Sequence, residues 1–356
     1  MATTQKQQIT PAMAAQNFAQ ATRQNMQMLP AIAGAESSTI SFNLPKVRLT
    51  SKVRVMVEAT VNVKHASATI YTPPAFGPYA LIRKVGIEVQ NGFRPFNVSG
   101  EELQMMNYLD NDSQIYVPQT SGRGKVVQGV AASAAGVDNV IRFPLELPFT
   151  LNDRDPIGMI LTQNQETTVS VTIDTNAVTS LLANTSGYTV VLKSLTFTPM
   201  VESFTIPASE LAFPDLSILK MVQSSRQSIA GAGEQTIKLP TGQTYRRIAI
   251  YLDNGSGVGL DDSAITGNFE VLFNQADTPY KVSPKQLAAI NHEQYGRPLP
   301  NGLYAFDFTY QGFANFGGSR DYVDTQRLTE FWIKFVAPAA GNVTVVYETL
   351  SQMQGA

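Results

Sequence analysis

Two nine-residue stretches of this chain share their order and their chemistry. Pro95-Phe96-Asn97-Val98-Ser99-Gly100-Glu101-Glu102-Leu103 and Pro279-Tyr280-Lys281-Val282-Ser283-Pro284-Lys285-Gln286-Leu287 lie 279 − 95 = 184 positions apart, and Asn107 meets Asn291 at the same offset. In each, a Pro-aromatic pair closes a strand-like run. A serine then stands three residues before Glu102 or Gln286, the spacing of a capping box that opens a short helix. Pro284 adds a proline at the first helical position. A segment this specific, met twice, means that whatever the chain folds into is built two times over. Two weaker pairs keep the same order. Leu44-Pro45 leads into Val53-Arg54-Val55 as Leu239-Pro240 leads into Ile248-Ala249-Ile250, and Thr189-Val190-Val191 resembles Thr344-Val345-Val346. Short β segments match by chance more easily, so the capping-box pair carries the argument. The boundary between copies falls where Pro199, Pro207 and Pro214 punctuate the chain.

What is duplicated is a β structure. Val53, Val55, Val57, Val61 and Val63 alternate with Arg54, Met56, Glu58, Asn62 and Lys64, a long strand with one buried face. Phe143, Leu145, Leu147 and Phe149 alternate with Pro144 and Pro148 among them, which puts that strand at a sheet edge or in an extended connection. Val169-Val171-Ile173, Ile248-Ile250-Leu252 and Phe331-Ile333-Phe335 repeat the period. Many short strands between Gly, Pro, Asn and Asp clusters specify an all-β sandwich or barrel.

Residues 1–37 stand apart, rich in Gln, Ala and Met, with Lys6 and Arg23 as their only basic side chains. Thr10-Pro11 is an N-cap followed by proline, and a helix is expected from there to about Met28, stopped by Leu29-Pro30. Its apolar stripe (Ala14, Phe18, Ala21, Met28) is too narrow for it to stand alone. The segment is therefore either a disordered tail or an arm that orders against something else.

Composition removes several functions. Charged residues make up 15% of the 356 positions, against about 25% in an average globular protein. The formal net charge is −2 and no basic tract occurs, so nucleic-acid binding through phosphate neutralisation is not expected. With no cysteine, disulfides, thiolate catalysis and thiolate-ligated metals are excluded. The N-terminus has no apolar signal core, and no apolar run reaches the ~18 residues of a membrane span. Synthesis in a reducing cytoplasm fits these features.

No motif carries chemistry. The two histidines, His65 and His292, fall in different copies without partners at metal-ligand spacing, and read as surface or hydrogen-bonded residues. Gly122-Arg123-Gly124-Lys125 has Val126 where a phosphate loop needs a hydroxyl, so it reads as a surface loop. Asp253-Asn254-Gly255-Ser256-Gly257 places glycines where a calcium loop needs oxygen ligands, and is expected to be a tight turn. Asp153, Asp155, Asp261 and Asp262 offer loop carboxylates without any sign that two converge. Trp332, within a strand pattern, reads as core or interface. No enzyme activity, metal or cofactor is expected.

A duplicated all-β chain with a helical N-terminal arm, few charges and no catalytic set resembles the double jelly-roll major capsid proteins. Its arm Gln16-Asn17-Phe18-Ala19-Gln20, its Val53–Val63 strand and its paired Pro-aromatic/capping-box segments most resemble those of the tectiviruses that infect Gram-positive bacilli. The resemblance implies two tandem eight-stranded jelly rolls, over 38–205 and 206–350, after an arm at 1–37 and before a short tail at 351–356. It implies homotrimers of pseudo-hexagonal outline that meet neighbouring trimers and tile an icosahedral shell around an internal membrane. Minor capsid and vertex proteins would be further partners, and direct nucleic-acid contact is not implied. The arm, through Met13, Phe18, Arg23, Met26 and Met28, would reach the membrane or neighbouring capsomers, while loops such as Gly122–Val140 and Gly255–Thr266 would face outward. The protein would reside in the virion. A jelly-roll carbohydrate-binding or host-attachment protein is the competing reading. It needs an aromatic ligand groove, which a single tryptophan serves poorly.

Overall fold

The alternating valines of the first copy do occupy one buried face: Val53, Val55, Val57, Val61 and Val63 are all fully inaccessible. The computed structural model describes residues 11–89, 92–110, 126–151, 156–163, 168–309 and 322–352. Among them, sixteen strands of five residues or more carry the fold. The first eight are β1 (Gln24–Met28), β2 (Thr39–Asn43), β3 (Leu49–His65), β4 (Ile82–Val89), β5 (Phe93–Val98), β6 (Val137–Pro148), β7 (Val169–Thr175) and β8 (Tyr188–Phe204). The second eight are β9 (Ile218–Ile229), β10 (Gly233–Leu239), β11 (Thr244–Asp253), β12 (Thr266–Phe273), β13 (Asp277–Val282), β14 (Leu303–Asp307), β15 (Phe331–Ala337) and β16 (Gly341–Gln352). Helix α1 (Pro11–Ala21) precedes them, α2 (Gly100–Asp110) follows β5, and α3 (Pro284–Tyr295) follows β13.

Strand order shows the duplication directly. In the first half the sheets run β1-β8-β3-β6 and β2-β7-β4-β5; in the second, β9-β16-β11-β14 and β10-β15-β12-β13. Strand n of the first half takes the place of strand n + 8 in the second. Each half is a jelly roll, with one helix inserted between its fifth and sixth strands. Pro95 and Pro279 are both the third residue of the fifth strand, and both capping boxes form. In α2 the Glu102 N–H donates to Ser99 Oγ at 3.2 Å and the Ser99 N–H to Glu102 Oε2 at 2.7 Å. Ser283 and Gln286 do the same for α3. Asn107 Nδ2 donates to the Glu146 carbonyl on β6 at 3.1 Å, and Asn291 Nδ2 to the Ala305 carbonyl on β14 at 2.7 Å. Both asparagines are buried, and each ties its helix to the sixth strand.

Cross-strand register sharpens the match. Leu44-Pro45 and Leu239-Pro240 occupy the same turn between second and third strands, an offset of 195. At that offset Ser51 falls on position 246, and both Ser51 and Arg246 are the residue skipped by a bulge against the eighth strand. A bulge re-aims a strand and is a built feature of it, so its recurrence marks true equivalence. Thr344, paired with Tyr251, then corresponds to Thr198, paired with Met56. The Thr189 match is thus in the right strand but 198 − 189 = 9 residues out of register. β3 and β8 are each 17 residues long and overrun their counterparts, and a bare Thr-Val-Val has nothing to fix its register.

The prolines of β6 are explained by its place. β6 pairs with β3 from Val137 to Pro148, and on its other side, among the described residues, meets a two-residue strand at Val127–Gln128. Pro144 and Pro148 share parity, so their missing N–H groups face the same side of an edge strand. Of the outward-loop segments, Val137–Val140 lie within β6, while Gly122–Lys125 are outside the described residues.

The N-terminal expectation requires correction. The helix stops at Ala21, and Gln24–Met28, expected to continue it, is β1, the first strand of the first roll. Thr22 ends the helix by donating both its N–H (3.0 Å) and its hydroxyl (2.7 Å) to the Phe18 carbonyl. Arg23 and Thr205 then exchange hydrogen bonds that turn the chain onto the β8 edge. Gln, Asn and Met are permissive residues, and five residues of backbone pairing along β8 outweigh a few tenths of a kcal/mol of helix propensity. Nor does Phe18 point away from its own chain. It is 4% exposed, packed with Leu49 and Met159, its ring 5.4 Å from that of Phe204.

Phe18→Ala should therefore lower the unfolding free energy of the isolated chain by about 3 kcal/mol, since it empties a packed aromatic site. Urea denaturation measures this. An unchanged midpoint would mean that α1 does not belong to the first roll.

Candidate functional site

The two rolls meet along a joint that starts at a strand edge. β5 ends its sheet within the first roll, and β9 ends its sheet within the second. They pair in parallel, with Phe96 opposite Val222 and Asn97 opposite Gln223. Joined there, four strands of each roll form one sheet. Below the pairing, Leu219, Val222, Ala249, Tyr251, Leu303, Ala305 and Val346 of the second roll are part of the first roll's core cluster. The Phe76 and Tyr251 rings meet edge to face at 4.9 Å. This is why β11 is buried on both faces: Ile248, Ile250 and Leu252 point into their own roll, and Ala249 and Tyr251 into the other.

Polar groups in the joint are tied to α2. Ser224 Oγ donates to Glu102 Oε2 at 2.8 Å, which fixes β9 against the helix cap. At the other end of α2, the Asp110 carboxylate accepts two hydrogen bonds from the Arg247 guanidinium, one of them at 3.2 Å. Arg247 Nη2 also donates to Glu348 Oε2 at 2.6 Å. Arg246 Nη1 stands 3.4 Å from Glu348 Oε1, and Lys220 Nζ 3.9 Å from Oε2. Glu348 is 1% exposed, and Lys220 and Arg247 are buried with it. Burial alone would raise the pKa values of Asp110 and Glu348, but Arg247 and Lys220 hold both below the usual carboxylate range. Burial likewise pushes the Lys220 ammonium below the ordinary lysine range, against the pull of Glu348 and Asp110. Such a cluster adds little net stability over apolar packing, yet losing one partner strands a buried charge. Lys220, Arg246, Arg247 and Glu348 all belong to the second roll, so the cluster ties the two rolls through one ion pair, Arg247 with Asp110 at the end of α2. A second tie lies alongside, where Arg297 donates to the Tyr108 carbonyl with its guanidinium 5.5 Å from the Tyr108 ring.

The residues singled out in the sequence do not converge into a reactive centre. Among the described residues no group of three or more His, Cys, Asp or Glu side chains is placed to hold a metal ion. The His65 ring stacks at 4.6 Å on Tyr188 in the first roll, while His292 is exposed on α3 in the second. Asp253 and Asn254 accept N–H bonds from Gly255 (2.6 Å) and Ser256 (3.0 Å), and Gly255 and Gly257 have φ of 83° and 76°. That is the geometry of a tight turn. Asp262 accepts from the Tyr304 hydroxyl at 2.6 Å, and Trp332 is half-buried beneath Lys238. Asp153 and Asp155 lie outside the described residues. Met13, Arg23, Met26 and Met28 are exposed, unlike Phe18. Sequence reasoning missed the joint itself. Its only signal was Arg246-Arg247, two cations at the start of a strand otherwise read as core.

Among the described residues, β1 and β2 in the first roll and β10, β13 and β14 in the second end their sheets without a further neighbour. Beside β13, Tyr280, Leu287, Ile290, Gln294, Phe306 and Phe308 line an open groove of about 600 Å³.

Comparisons place this geometry among known proteins. Residues 218–353 match the family model described as "Viral coat protein P2 C-terminal domain", which spans β9 to the end of the second roll. No curated protein sequence matches the chain. Among solved structures, the chain is similar to the major capsid protein of Sulfolobus Turreted Icosahedral Virus, at 17% identity and a TM-score of 0.69, covering 93% of this chain and 97% of that one. It is similar to the PBCV-1 protein VP54 fitted into a reconstruction of the virophage Sputnik, at 13% identity and a TM-score of 0.65, covering 94% and 96%. It is also similar to the major capsid protein P2 of bacteriophage PM2, at 14% identity and a TM-score of 0.55, covering 93% and 98%. These likenesses establish the double jelly-roll fold over 93–94% of the chain.

Two measurements test the ion cluster. Glu348→Gln should lower the unfolding free energy by about 3 kcal/mol, because three buried cations lose their shared anion. The folded-state pKa values of Asp110 and Glu348 are depressed. Their contribution is therefore complete above the unfolded carboxylate range near 4 and is lost as pH falls through the folded values. Thermal midpoints recorded from pH 7 to pH 2 should show an acid limb that Glu348→Gln flattens. Parallel limbs in the two proteins would remove the cluster from the account.

Proposed function

We propose that the chain is the major capsid protein of a virus: a structural protein that assembles with copies of itself and does no chemistry. The observation that carries this reading is the pairing of two topologically identical rolls into one unit whose β1 and β13 edges are unpaired among the described residues. Such a unit repeats its own internal contact when it meets another copy. The coat-protein model matched by the second roll and the capsid proteins that share the fold over nearly their whole lengths support it. So does a surface poor in charge, since permanent contacts exclude charged side chains from their centres.

Three chains of two rolls each form a six-lobed capsomer in this reading, and such capsomers tile an icosahedral shell in the virion. The first roll takes in β1, and 205–217 joins it to the second. Lining of the shell by an internal membrane, contacts with minor and vertex proteins, and kinship with the tectiviruses of Gram-positive bacilli extend the same proposal. Exposed Met13, Arg23, Met26 and Met28 would serve contacts between copies or with what lies beneath them, while Phe18 serves the fold.

Light scattering of the purified chain should give three times the chain mass at micromolar concentration, and negative-stain images should show threefold particles with six lobes. A monodisperse monomer would contradict the proposal.

A further inference from the structure

The groove beside β13 is the counterpart of a surface that, in the first roll, the second roll covers. At the offset of 184, Tyr280 corresponds to Phe96, Ile290 to Met106 and Gln294 to Asp110. The aromatic stacking is retained: Tyr280 lies 5.3 Å from Phe308, and Phe96 lies 6.2 Å from Phe149, which occupies the same place after the sixth strand. Burial is not. Phe96 and Met106 are 1% and 4% exposed within the joint, whereas Ile290 is 43% exposed and Tyr280 half-buried. The second roll therefore has the docking face of the first, with nothing on it among the described residues.

The complementary face is equally identifiable. In the joint, the element seated on this face is β9, at Val222 and Gln223. Val222 pairs with Glu348, which pairs with Arg247; Met26 pairs with Glu202, which pairs with Lys52. Since 247 − 52 = 195, the offset already fixed by the bulges, Met26 corresponds to Val222 and Gln27 to Gln223. β1 is thus the first roll's version of β9. Its outer edge is unpaired among the described residues, its sequence Gln-Asn-Met-Gln-Met holds no charge, and Met26 is 58% exposed. Soluble proteins guard free strand edges with charge, proline or bulges, and β1 has none of these.

We infer that β1 of a second copy of this chain pairs in parallel with β13, Met26 opposite Tyr280 and Gln27 opposite Lys281, repeating between chains the joint that β5 and β9 make within one. The inference rests on the trimeric reading and names its contact. The interface is head-to-tail, so it forms a ring when its rotation closes. The charges around it differ from those within the chain. Where Lys220, Arg246, Arg247, Glu348 and Asp110 converge internally, the corresponding positions hold Gln24, Ser51, Lys52, Glu202 and Gln294. Gln24 Nε2 donates to Glu202 Oε1 at 2.5 Å. At these five positions the contact between chains holds one cation and one anion where the internal one holds three cations and two anions, and Lys281, Glu293 and Asp307 line the groove beside them.

The absence of cysteine from the chain permits a direct test. Gln27 and Lys281 are both exposed, so Gln27→Cys with Lys281→Cys in the full chain places thiols on neighbouring strands of different molecules at disulfide distance. Mild oxidation should give a reducible band at three times the chain mass on a denaturing gel. A mixture of the two single variants should give only dimers, and Gln27→Cys with Asp277→Cys, out of register, should remain uncrosslinked. Trimers by light scattering whose yield of crosslink does not exceed that out-of-register control would overturn the inference while leaving the trimeric reading intact. Monomers would overturn both. Ile290→Arg, which buries a charge in the proposed contact, should abolish the trimer peak without changing the circular dichroism of the chain. A trimer that tolerates it would also overturn the inference.

Discussion

Everything in this molecule depends on what a jelly roll does with its unpaired strand edges. Two stacked sheets of four strands leave edges with free N–H and C=O groups, and edges left in water are templates for further pairing. Here one such edge, β5, is closed by β9 of the same chain, and hydrophobic residues of the second roll beneath the pairing complete the core of the first. The buried ions at the base of α2 add geometric specificity. A pair of apolar faces could slide or rotate, whereas the two hydrogen bonds from Arg247 to Asp110 fix α2 of the first roll against β11 of the second. The joint converts two domains into one body with a defined angle between its halves.

Duplication extends the consequence beyond one chain. Because both rolls derive from one pattern, the surfaces that meet in the middle recur at the two ends. The residues that differ between copies mark what each face is for. Glu146 is buried against Arg54 at 2.9 Å, while its counterpart Ala305 packs into the core cluster of the first roll within the joint. Asp110 is committed to the internal cluster, while Gln294 is neutral. The internal joint forms once, during folding, and tolerates the buried charges of Lys220, Arg247 and Glu348. A contact between chains must form after folding and gains from having less charge to desolvate.

Much of the architecture was legible in the sequence because it rests on local chemistry. Val53 to Val63 announced a buried strand face, Pro144 and Pro148 an edge, and Ser99/Glu102 with Ser283/Gln286 the two helix starts. The equivalence of Pro95 with Pro279 followed from a helix cap, which has a fixed position, and it held. Thr189 with Thr344 rested on β-branched letters alone, and it slipped by nine residues. The N-terminal segment misled for a different reason. Gln24–Met28 has no pattern of its own, and only the open edge of β8 makes it a strand, so tertiary pairing overrode a permissive sequence. The joint was illegible because its parts are scattered: Asp110, Lys220, Arg247 and Glu348 come from four elements that register alone brings together.

The central claim is that the joint makes the two rolls one cooperative body. Differential scanning calorimetry of the isolated chain tests it most directly. A single transition, with calorimetric and van't Hoff enthalpies equal, is the result expected when residues of the second roll complete the first roll's core and Arg247 pairs with Asp110 across the joint. Two resolved transitions, with one roll melting while the other stays folded, would contradict it.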